Sequence, residues 1–352
     1  MLPKTMTAVL KSAPGPGAEI ATAPLPLIGP TDVLLKVLAT SICGTDLHIY
    51  KWNAWAAGRM TTPRIPGHEF CGEVVQVGEH VESLRLGDYV SGESHVPCGW
   101  CYPCRTGMRH VCANLKIIGV DLDGSFAEYV RLPEVSAWKT SRDLPPEVAC
   151  LQEPFGNAVQ TALSTQIAAA NVLVTGCGPI GVFAVAIAKA AGAATIIATD
   201  PNSYRVELAL RIGATHGFDP LTVDTPTRVR EITNGVGADV VLEMSGSPAA
   251  IADAFESLRP GGHVALLGLP PGPVMLDINE AIIFKSATVQ GVTGRKMWDT
   301  WYQTAAFLGG GVIDVLPIIT HRLPLSEFHH AMELLESGRS GKIVLYPGDI
   351  PK

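Results

Sequence analysis

The apolar residues of this chain follow two patterns, and the change between them falls near Pro154. Before that point, short apolar runs are separated by glycine and proline, and no helix-periodic stretch dominates. This pattern predicts a strand-rich, barrel-like domain. Its predicted strands include residues 33–39, 71–77, 88–92 and 126–131.

From residue 171 onward, apolar runs alternate with segments of helical length. Such alternation is typical of a parallel sheet with crossover helices, so we predict an α/β chain whose second domain is a doubly wound, Rossmann-type sheet. Its strands are predicted at 172–175, 195–199, 216–218, 239–243, 263–267 and 288–292. Its helices are predicted at 179–191, 203–212, 227–233 and 249–258.

The length of 352 residues is sufficient for about two domains. We predict that residues 1–155 form the strand-rich domain and residues 156–295 the Rossmann domain. Two helices, at 297–308 and 325–336, and a final strand at 342–345 follow a sheet that is already complete. We therefore predict that residues 296–352 return to the first domain.

The composition and charge of the chain argue against two classes of binding partner, nucleic acids and membranes. The formal net charge of −7 and the absence of a Lys/Arg run argue against a nucleic-acid surface. The apolar tract 179–199 has the length of a membrane span, but Lys189 and Gly192 interrupt it and it divides into a helix and a strand, so we predict no membrane partner. No charged segment followed by an apolar one opens the chain, and we expect a cytoplasmic protein.

A glycine-rich loop predicts a dinucleotide site. Gly176, Gly178 and Gly181 follow one predicted strand and open a helix, and Asp200 closes the next strand. In this context glycines let the backbone approach a pyrophosphate at a helix N-terminus, and the acidic side chain accepts hydrogen bonds from a ribose. The charge of Asp200 favours NAD over NADP, although Arg205 could meet a 2′-phosphate. The alternative is a glycine-rich turn without a ligand.

Four of the eight cysteines lie close together in the sequence and predict a metal site. Their spacing suits a tetrahedral Zn²⁺ ion with four sulfur ligands and no open position, which would be structural. Two disulfides or an iron–sulfur cluster are the alternatives. The four are Cys98, Cys101, Cys104 and Cys112.

A second candidate metal site is less obvious from spacing alone. Cys43 and His68 are good zinc ligands, and Glu69 or Glu153 could complete the shell while water or substrate takes the open position. Taken singly, each has an ordinary alternative, because a lone cysteine is usually a small buried residue and a lone histidine is usually hydrogen-bonded. Their significance comes from occurring together with the four-cysteine lobe and the glycine-rich loop.

These motifs together resemble the zinc-dependent medium-chain alcohol dehydrogenases. The resemblance covers essentially the whole chain and rests on Cys43-Gly44-Thr45-Asp46, Gly67-His68-Glu69, the four-cysteine lobe and the glycine-rich loop. It implies a GroES-like catalytic domain beside the Rossmann domain. Further stretches resemble members of that family that oxidise L-threonine; these are residues 43–50, 153–159, 242–246, 294–298 and 319–322.

The resemblance also implies roles for the matching residues. Cys43, His68 and Glu69 match the ligands of a catalytic zinc ion. Thr45 and His48 match a pair that relays a proton to solvent, and Glu153 matches a carboxylate near the zinc. The four cysteines match the ligands of a structural zinc ion. The positions that match NAD contacts are Gly176, Gly178, Ile180, Gly181, Asp200, Arg205, Leu267, Gly268, Leu269, Val292 and Thr293, of which the last two differ from the more usual aromatic-containing pair.

The activity implied by the resemblance is NAD-dependent oxidation of a small amino alcohol, L-threonine, to 2-amino-3-ketobutyrate by a homotetramer. Zinc lowers the pKa of bound water from about 15.7 to about 7 and would act similarly on a substrate hydroxyl, and NAD would accept the hydride. A polyol or 2,3-butanediol is the alternative substrate within the same chemistry. A nucleotide-binding relative without catalytic activity is the alternative from another class, and it would be expected to lack some of the ligands that are present here.

Overall fold

The computed structural model describes residues 1–350 and consists of two compact units. The first unit comprises Met1–Pro154, Lys296–Gly309 and the chain from Ile319 onward. The second unit comprises Phe155–Arg295 and Gly310–Ile318. Each unit has its own sheet and its own apolar core.

Strands are the main regular elements of the first 151 residues, as the short apolar runs predict. The strand expected from residue 126 begins only at Tyr129, because the backbone of Phe126 instead forms hydrogen bonds with Val9 and Pro66. The strands are β1 (Thr5–Leu10), β2 (Glu19–Pro24), β3 (Asp32–Ser41), β4 (Glu69–Val77), β5 (Tyr89–Gly92), β6 (His95–Val96), β7 (Lys116–Ile117), β8 (Tyr129–Pro133) and β9 (Ala137–Lys139). The α-helices are α1 (Gly44–Lys51), α2 (Ala54–Arg59), α3 (Tyr102–Arg105) and α4 (Pro146–Ala149).

Residues 152–295 alternate helices and strands, and the strands form one parallel sheet of six. The helices are α5 (Gln152–Ala162), α6 (Pro179–Ala190), α7 (Ser203–Ile212), α8 (Thr225–Ile232) and α9 (Pro248–Ser257). The strands are β10 (Asn171–Thr175), β11 (Thr195–Thr199), β12 (His216–Phe218), β13 (Ala238–Glu243), β14 (Leu258–Leu266) and β15 (Thr288–Gly291). Their order across the sheet is β12-β11-β10-β13-β14-β15, which is the order of a Rossmann sheet and confirms the predicted fold class.

Two elements of this part differ from the prediction. Helix α5 was not predicted, yet Phe155, Ala158, Val159 and Ala162 are buried at helical spacing. Strand β14 begins at residue 258 rather than 263, because it continues through a Pro-Gly-Gly sequence that reads as a turn. An irregular register opposite β13 accommodates that continuation.

The last part of the chain contributes strands to the sheet of the first unit. Its elements are α10 (Asp299–Gly309), β16 (Ile319–Pro324), α11 (Phe328–Glu336) and β17 (Lys342–Tyr346). Strand β17 pairs antiparallel with β3, and the sheet runs β16-β17-β3-β4-β5-β9, with β8 also paired to β3. This pairing brings the chain near residue 342 next to the end of β3, where Cys43 follows. Among residues 1–350, no helix is both long and apolar enough to cross a membrane.

Candidate functional site

Three potential metal ligands meet in the first unit where β3 pairs with β4. Cys43 stands at the N-cap of α1 just after β3, and His68 and Glu69 stand at the start of β4. The register pairs Ser41 with Glu69, which places the end of one strand beside the start of the other. One ligand atom from each of Cys43, His68 and Glu69 lies within 4.8 Å of the other two. A sulfur, an imidazole nitrogen and a carboxylate oxygen at this spacing form a donor set suited to zinc.

Asp46 holds two of these ligands from behind. Its Oδ2 atom accepts a hydrogen bond of 2.9 Å from the Cys43 backbone N–H, and its Oδ1 atom lies 3.6 Å from His68 Nδ1. Among the described residues 1–350, neither Asp46 Oδ1 nor His68 Nδ1 has a hydrogen-bond partner, and both side chains are buried. A carboxylate on one ring nitrogen leaves Nε2 available to a metal, which is the usual arrangement behind a metal-bound histidine.

Burial and the neighbouring charges shift the pKa values of both Asp46 and His68. Burial raises the pKa of Asp46 to about 6, although His68 acts in the opposite direction. Burial alone would lower the pKa of His68, but the Asp46 carboxylate and Cys43 raise it well above its usual value. The site therefore attracts positive charge, whether a proton or a metal ion.

Glu69 is fully buried and forms an ion pair with Lys342, a residue near the end of the chain. Its Oε2 atom accepts hydrogen bonds from Ser41 Oγ and from Lys342 Nζ, which also donates to the Ile42 carbonyl at 2.9 Å. Burial would lower the pKa of Lys342, but Glu69 raises it above its usual value. The other oxygen, Oε1, is buried and has no hydrogen-bond partner in the part of the chain that the structure describes, as expected of an atom that binds a metal.

Glu153, the other carboxylate considered for this shell, lies in the first turn of α5 and is buried. Its Oε1 atom accepts a hydrogen bond of 2.5 Å from Ser94 Oγ, and its charge helps to raise the pKa of His68. Within residues 1–350, the three-residue ligand group contains Glu69 and not Glu153. The geometry thus favours Glu69 as the carboxylate that completes the shell.

Thr45 and His48 extend from the cluster toward solvent along α1. The two residues are three apart and so share a helix face. Thr45 Oγ1 lies 3.8 Å from Cys43 Sγ, while His48 is exposed and its Nδ1 atom is 3.0 Å from Asn53 Nδ2. A hydroxyl next to the cluster and an exposed imidazole are suitable for proton transfer.

His95 has a structural interaction within the first unit. Its Nδ1 atom is 3.5 Å from Glu93 Oε1, and Glu93 Oε1 also accepts the His95 backbone N–H at 2.8 Å. The second oxygen of Glu93 accepts a hydrogen bond of 2.7 Å from Trp301 Nε1.

The four-cysteine lobe forms a second ligand cluster in the same unit. One sulfur from each cysteine lies within 4.8 Å of the other three. The separations of 3.4 Å for Cys101–Cys104 and 3.7 Å for Cys101–Cys112 far exceed a disulfide bond of about 2.05 Å, and all four thiols are free. This arrangement disfavours the disulfide alternative and suits a tetrahedral ion.

Hydrogen bonds to sulfur favour the thiolate form of Cys98 in this lobe. The backbone N–H groups of Cys98 and Asn114 each donate to Cys112 Sγ at 3.3 Å, and Asn114 Nδ2 donates to Cys98 Sγ at 3.5 Å. Burial would raise the pKa of Cys98, but hydrogen bonds from Asn114 and the neighbouring backbone lower it to about 6. Thiolates are the form that binds a metal.

The glycine-rich loop of the second unit requires its glycines. Gly176 follows β10 with a φ of +87°, and a Cβ atom there would lie 2.7 Å from the Cβ atom of Ser245. A Cβ atom on Gly181 would lie 1.9 Å from the Gly176 carbonyl oxygen. Helix α6 begins directly after the loop, so its free N–H groups face the end of β10.

A cavity of about 330 Å³ adjoins this loop in the second unit. Asp200, just after β11, is buried there and accepts hydrogen bonds from the N–H groups of Cys177 (2.8 Å) and Asn202 (2.9 Å). Arg205 Nη1 lies 3.8 Å from Asp200 Oδ2. The cavity lining includes Gly176, Gly178, Thr199, Asp200, Arg205, Met244, Ser245 and Ser247.

The remaining predicted nucleotide residues lie outside that lining. Gly181 belongs to α6 and is buried, and Ile180 is partly buried in the first turn of the same helix. Leu267, Gly268 and Leu269 follow β14, and Leu269 is 87% exposed. Val292 is buried and its N–H group donates to the Leu266 carbonyl at 2.9 Å, while Thr293 is exposed.

Several side chains behind the metal ligands were not singled out in the sequence. Asp46 had a local signal, because it stands three residues after the N-cap cysteine, the position that returns to the cap backbone in a capping box. Ser41 had a weaker signal as the neighbour of the cysteine motif. Lys342 and Ser94 had none, since each reaches its carboxylate partner through tertiary pairing.

Comparison with known proteins agrees with this geometry. Residues 29–142 match the alcohol dehydrogenase GroES-like domain, and residues 179–309 match the zinc-binding dehydrogenase domain. The chain is 49% identical over 343 residues to an L-threonine 3-dehydrogenase of Caldanaerobacter subterraneus subsp. tengcongensis, covering 97% of this chain and 99% of that one.

Solved structures of related dehydrogenases share the whole fold. A zinc-binding dehydrogenase of Sinorhizobium meliloti 1021, bound to NADP, superposes with a TM-score of 0.90 at 30% identity and covers 98% of this chain and 100% of that one. The 2R,3R-butanediol dehydrogenase of Bacillus subtilis superposes with a TM-score of 0.88 at 28% identity, covering 97% of this chain and 100% of that one. The family predicted from the motifs is therefore confirmed. The chain belongs to the zinc-binding, GroES-like medium-chain alcohol dehydrogenases, and it is an enzyme that acts on a small molecule.

Proposed function

We propose that this enzyme oxidises L-threonine to 2-amino-3-ketobutyrate with NAD as the hydride acceptor. The observation that carries the proposal is the cluster of the partly buried Cys43 with the buried His68 and Glu69, backed by Asp46, in a chain that is 49% identical to an L-threonine 3-dehydrogenase over nearly its whole length. A protein that had lost its chemistry would not be expected to keep the ligands, the carboxylate behind them and the hydroxyl–imidazole pair.

Cys43, His68 and Glu69 would hold the catalytic zinc ion. When bound, zinc supplies a Lewis acid that lowers the pKa of a hydroxyl group. Asp46 orients the imidazole and the backbone of Cys43, while Lys342 and Ser41 hold the Glu69 carboxylate. Glu153 contributes further negative charge from the same side of the first unit.

Thr45 and His48 would carry the proton that the substrate hydroxyl loses. The Thr45 hydroxyl can accept that proton while donating its own, and the exposed imidazole of His48 can release a proton to water. A bound NAD would accept the hydride from the carbon that carries this hydroxyl group, and the residues that bind NAD would hold its ring in position for that transfer.

The other two parts of the chain would serve binding and stability. The four cysteines would hold a second zinc ion with no open position, which has a structural role. The second unit would bind NAD at Gly176, Gly178, Asp200 and Arg205. We propose residues 1–155 with 296–352 as the catalytic domain and 156–295 as the nucleotide domain, with the difference that Gly310–Ile318 groups with the second unit.

Asp46→Asn is expected to weaken zinc binding and catalysis. Losing the buried negative charge behind His68 should lower zinc affinity or kcat/KM by about ten- to a hundredfold. Zinc retained in a graded chelator series, together with kcat/KM, measures the effect. Asp88→Asn, which removes a carboxylate paired with Lys139 at 2.8 Å, is the matched control. Equal zinc retention by the two variants would contradict the role of Asp46.

Asp200→Asn is expected to relax the preference for NAD. Asp200 accepts from the Cys177 N–H through Oδ2 and from the Asn202 N–H through Oδ1. The amide keeps one of these two acceptors and removes the charge that repels a 2′-phosphate. We expect kcat/KM to fall about tenfold with NAD and to rise about tenfold with NADP. The control is Asp224→Asn, because Asp224 caps α8 through the Thr227 N–H at 2.9 Å and asparagine caps a helix equally well. A preference for NADP in the unaltered enzyme would contradict the assignment.

Initial rates test the substrate. The zinc-loaded enzyme should reduce NAD with L-threonine much faster than with D-threonine, L-serine, sorbitol or 2,3-butanediol. The resemblance to the B. subtilis butanediol dehydrogenase, at 28% identity, makes butanediol the specific rival. Fast turnover of butanediol with threonine inert would leave the metal sites and fold intact and overturn the substrate.

We also propose a cytoplasmic homotetramer, the usual assembly and location in this family. A chain of 37.2 kDa would give an assembly of about four times that mass in solution. Light scattering behind a sizing column measures it, and a monomer mass would contradict the proposal.

A further inference from the structure

The second unit contains a fully buried carboxylate, that of Glu243, which has no part in the reaction proposed above. Glu243 is the last residue of β13, at the carboxyl end of the parallel sheet, and it is 0% exposed. Among residues 1–350, no lysine, arginine or histidine forms an ion pair with it. A buried charge is costly unless several donors satisfy it.

Donors from the following loop converge on this carboxylate. The Ser245 backbone N–H (2.9 Å), the Ser245 hydroxyl (2.5 Å) and the Gly246 N–H (3.0 Å) donate to Oε1. Thr175, the last residue of the neighbouring β10, adds a weaker contact at 3.4 Å. An ionised carboxylate accepts without donating and forms stronger hydrogen bonds than a neutral group, so these contacts hold the turn after β13.

The same residue also fixes the turn after β14. Its backbone carbonyl accepts hydrogen bonds from the N–H groups of Leu267 (2.9 Å) and Gly268 (3.1 Å). A Cβ atom on Gly268 would lie 2.0 Å from the Gly246 nitrogen and 2.6 Å from Glu243 Oε2. The two turns are therefore packed against each other with the carboxylate beside them.

The turn after β13 is also a wall of the proposed nucleotide site. Met244 and Ser245 line the cavity that contains Asp200. Ser245 also packs so closely against Gly176 that a Cβ atom on that glycine would clash with it. A displacement of Ser245 would thus change the cavity and the loop of Gly176 together.

We propose that Glu243 is a positioning residue of the nucleotide site. Its carboxylate holds residues 244–247 and 267–269 in their binding conformation before the nucleotide arrives. This inference rests on the proposed NAD function. Loops that are already ordered need not be ordered on binding, and affinity rises accordingly. Glu243 itself does not line the cavity.

The test compares Glu243→Gln with the unaltered zinc-loaded enzyme. Glutamine keeps the size but loses the charge and turns one acceptor into a donor that faces the Gly246 N–H. We expect the Kd for NADH, followed by its fluorescence, to rise about ten- to a hundredfold. We expect kcat at saturating NAD to stay within about threefold, because the residue does not touch the reacting atoms. Asp239→Asn, at the opposite end of β13 where Asp239 pairs with Arg259 at 2.5 Å, is the matched control.

Hydrogen–deuterium exchange without nucleotide separates positioning from general stability. Faster exchange in Glu243→Gln, confined to residues 244–247 and 267–269, supports the inference. Loss of protection across the whole parallel sheet, or an NADH Kd equal to that of the unaltered enzyme, would overturn it. Failure of the unaltered enzyme to bind NADH would instead overturn the proposed nucleotide site, and the inference with it.

Discussion

Cys43→Ser is expected to abolish turnover while nucleotide binding persists. Cys43 provides the only sulfur of the three-ligand cluster, and serine replaces a good zinc ligand with a poor one. Metal stabilisation of developing charge contributes several kcal/mol to catalysis, so kcat should fall by about three orders of magnitude. Steady-state rates, zinc content and NADH binding are the measurements.

Cys150→Ser is the control for that variant. Cys150 is buried in the same unit and belongs to neither of the two metal-ligand clusters. Its replacement should therefore leave zinc content and kcat nearly unchanged. Wild-type activity in Cys43→Ser would refute the ligand assignment. Loss of both activity and NADH binding would indicate general unfolding rather than loss of a ligand.

Cys104→Ser is expected to destabilise the protein through the other cluster. Cys104 is buried and its sulfur lies 3.4 Å from that of Cys101, so losing it opens a four-thiol site. Because the binding free energy of a structural zinc ion is part of the folding free energy, we expect a loss of about 4 kcal/mol, which lowers Tm by about 10 °C. Zinc per chain should fall from about two to about one.

Calorimetry with parallel metal analysis tests this second prediction. The same Cys150→Ser variant controls for removing a buried thiol. An unchanged Tm and unchanged zinc content in Cys104→Ser would show that the lobe does not hold a metal. A lower zinc content with an unchanged Tm would show that the metal is bound there without stabilising the fold.

The elements that were predicted well are those with strong local patterns. Strand β11 and helix α7 have the predicted bounds, because an apolar β-branched run and an amphipathic segment are separated by a helix-capping Asn202. The glycine-rich loop was recognisable because glycine has a local steric reason at Gly176 and Gly181. Both ligand clusters were found from residue type, since few side chains bind zinc well.

The features that were missed depend on distant parts of the chain. Lys342 is 273 residues from Glu69, and only the pairing of β17 with β3 brings them together. Helix α1 was also missed, because it is short and polar. The first residues of β14 were missed because their sequence favours a turn. The importance of Glu243 also depends on distant residues, because its partners include strand β10 and the turn after β14 as well as the turn that directly follows it.

Deuterium transfer tests the central claim most directly. The zinc-loaded enzyme is given NAD and L-threonine that carries deuterium at C3, and the reduced nucleotide is analysed by mass spectrometry. Oxidation at C3 breaks that carbon–deuterium bond, so each reduced nucleotide should gain one deuterium, and the other product should be 2-amino-3-ketobutyrate. Reduced nucleotide without deuterium, or no reduction of NAD by threonine, would contradict the account.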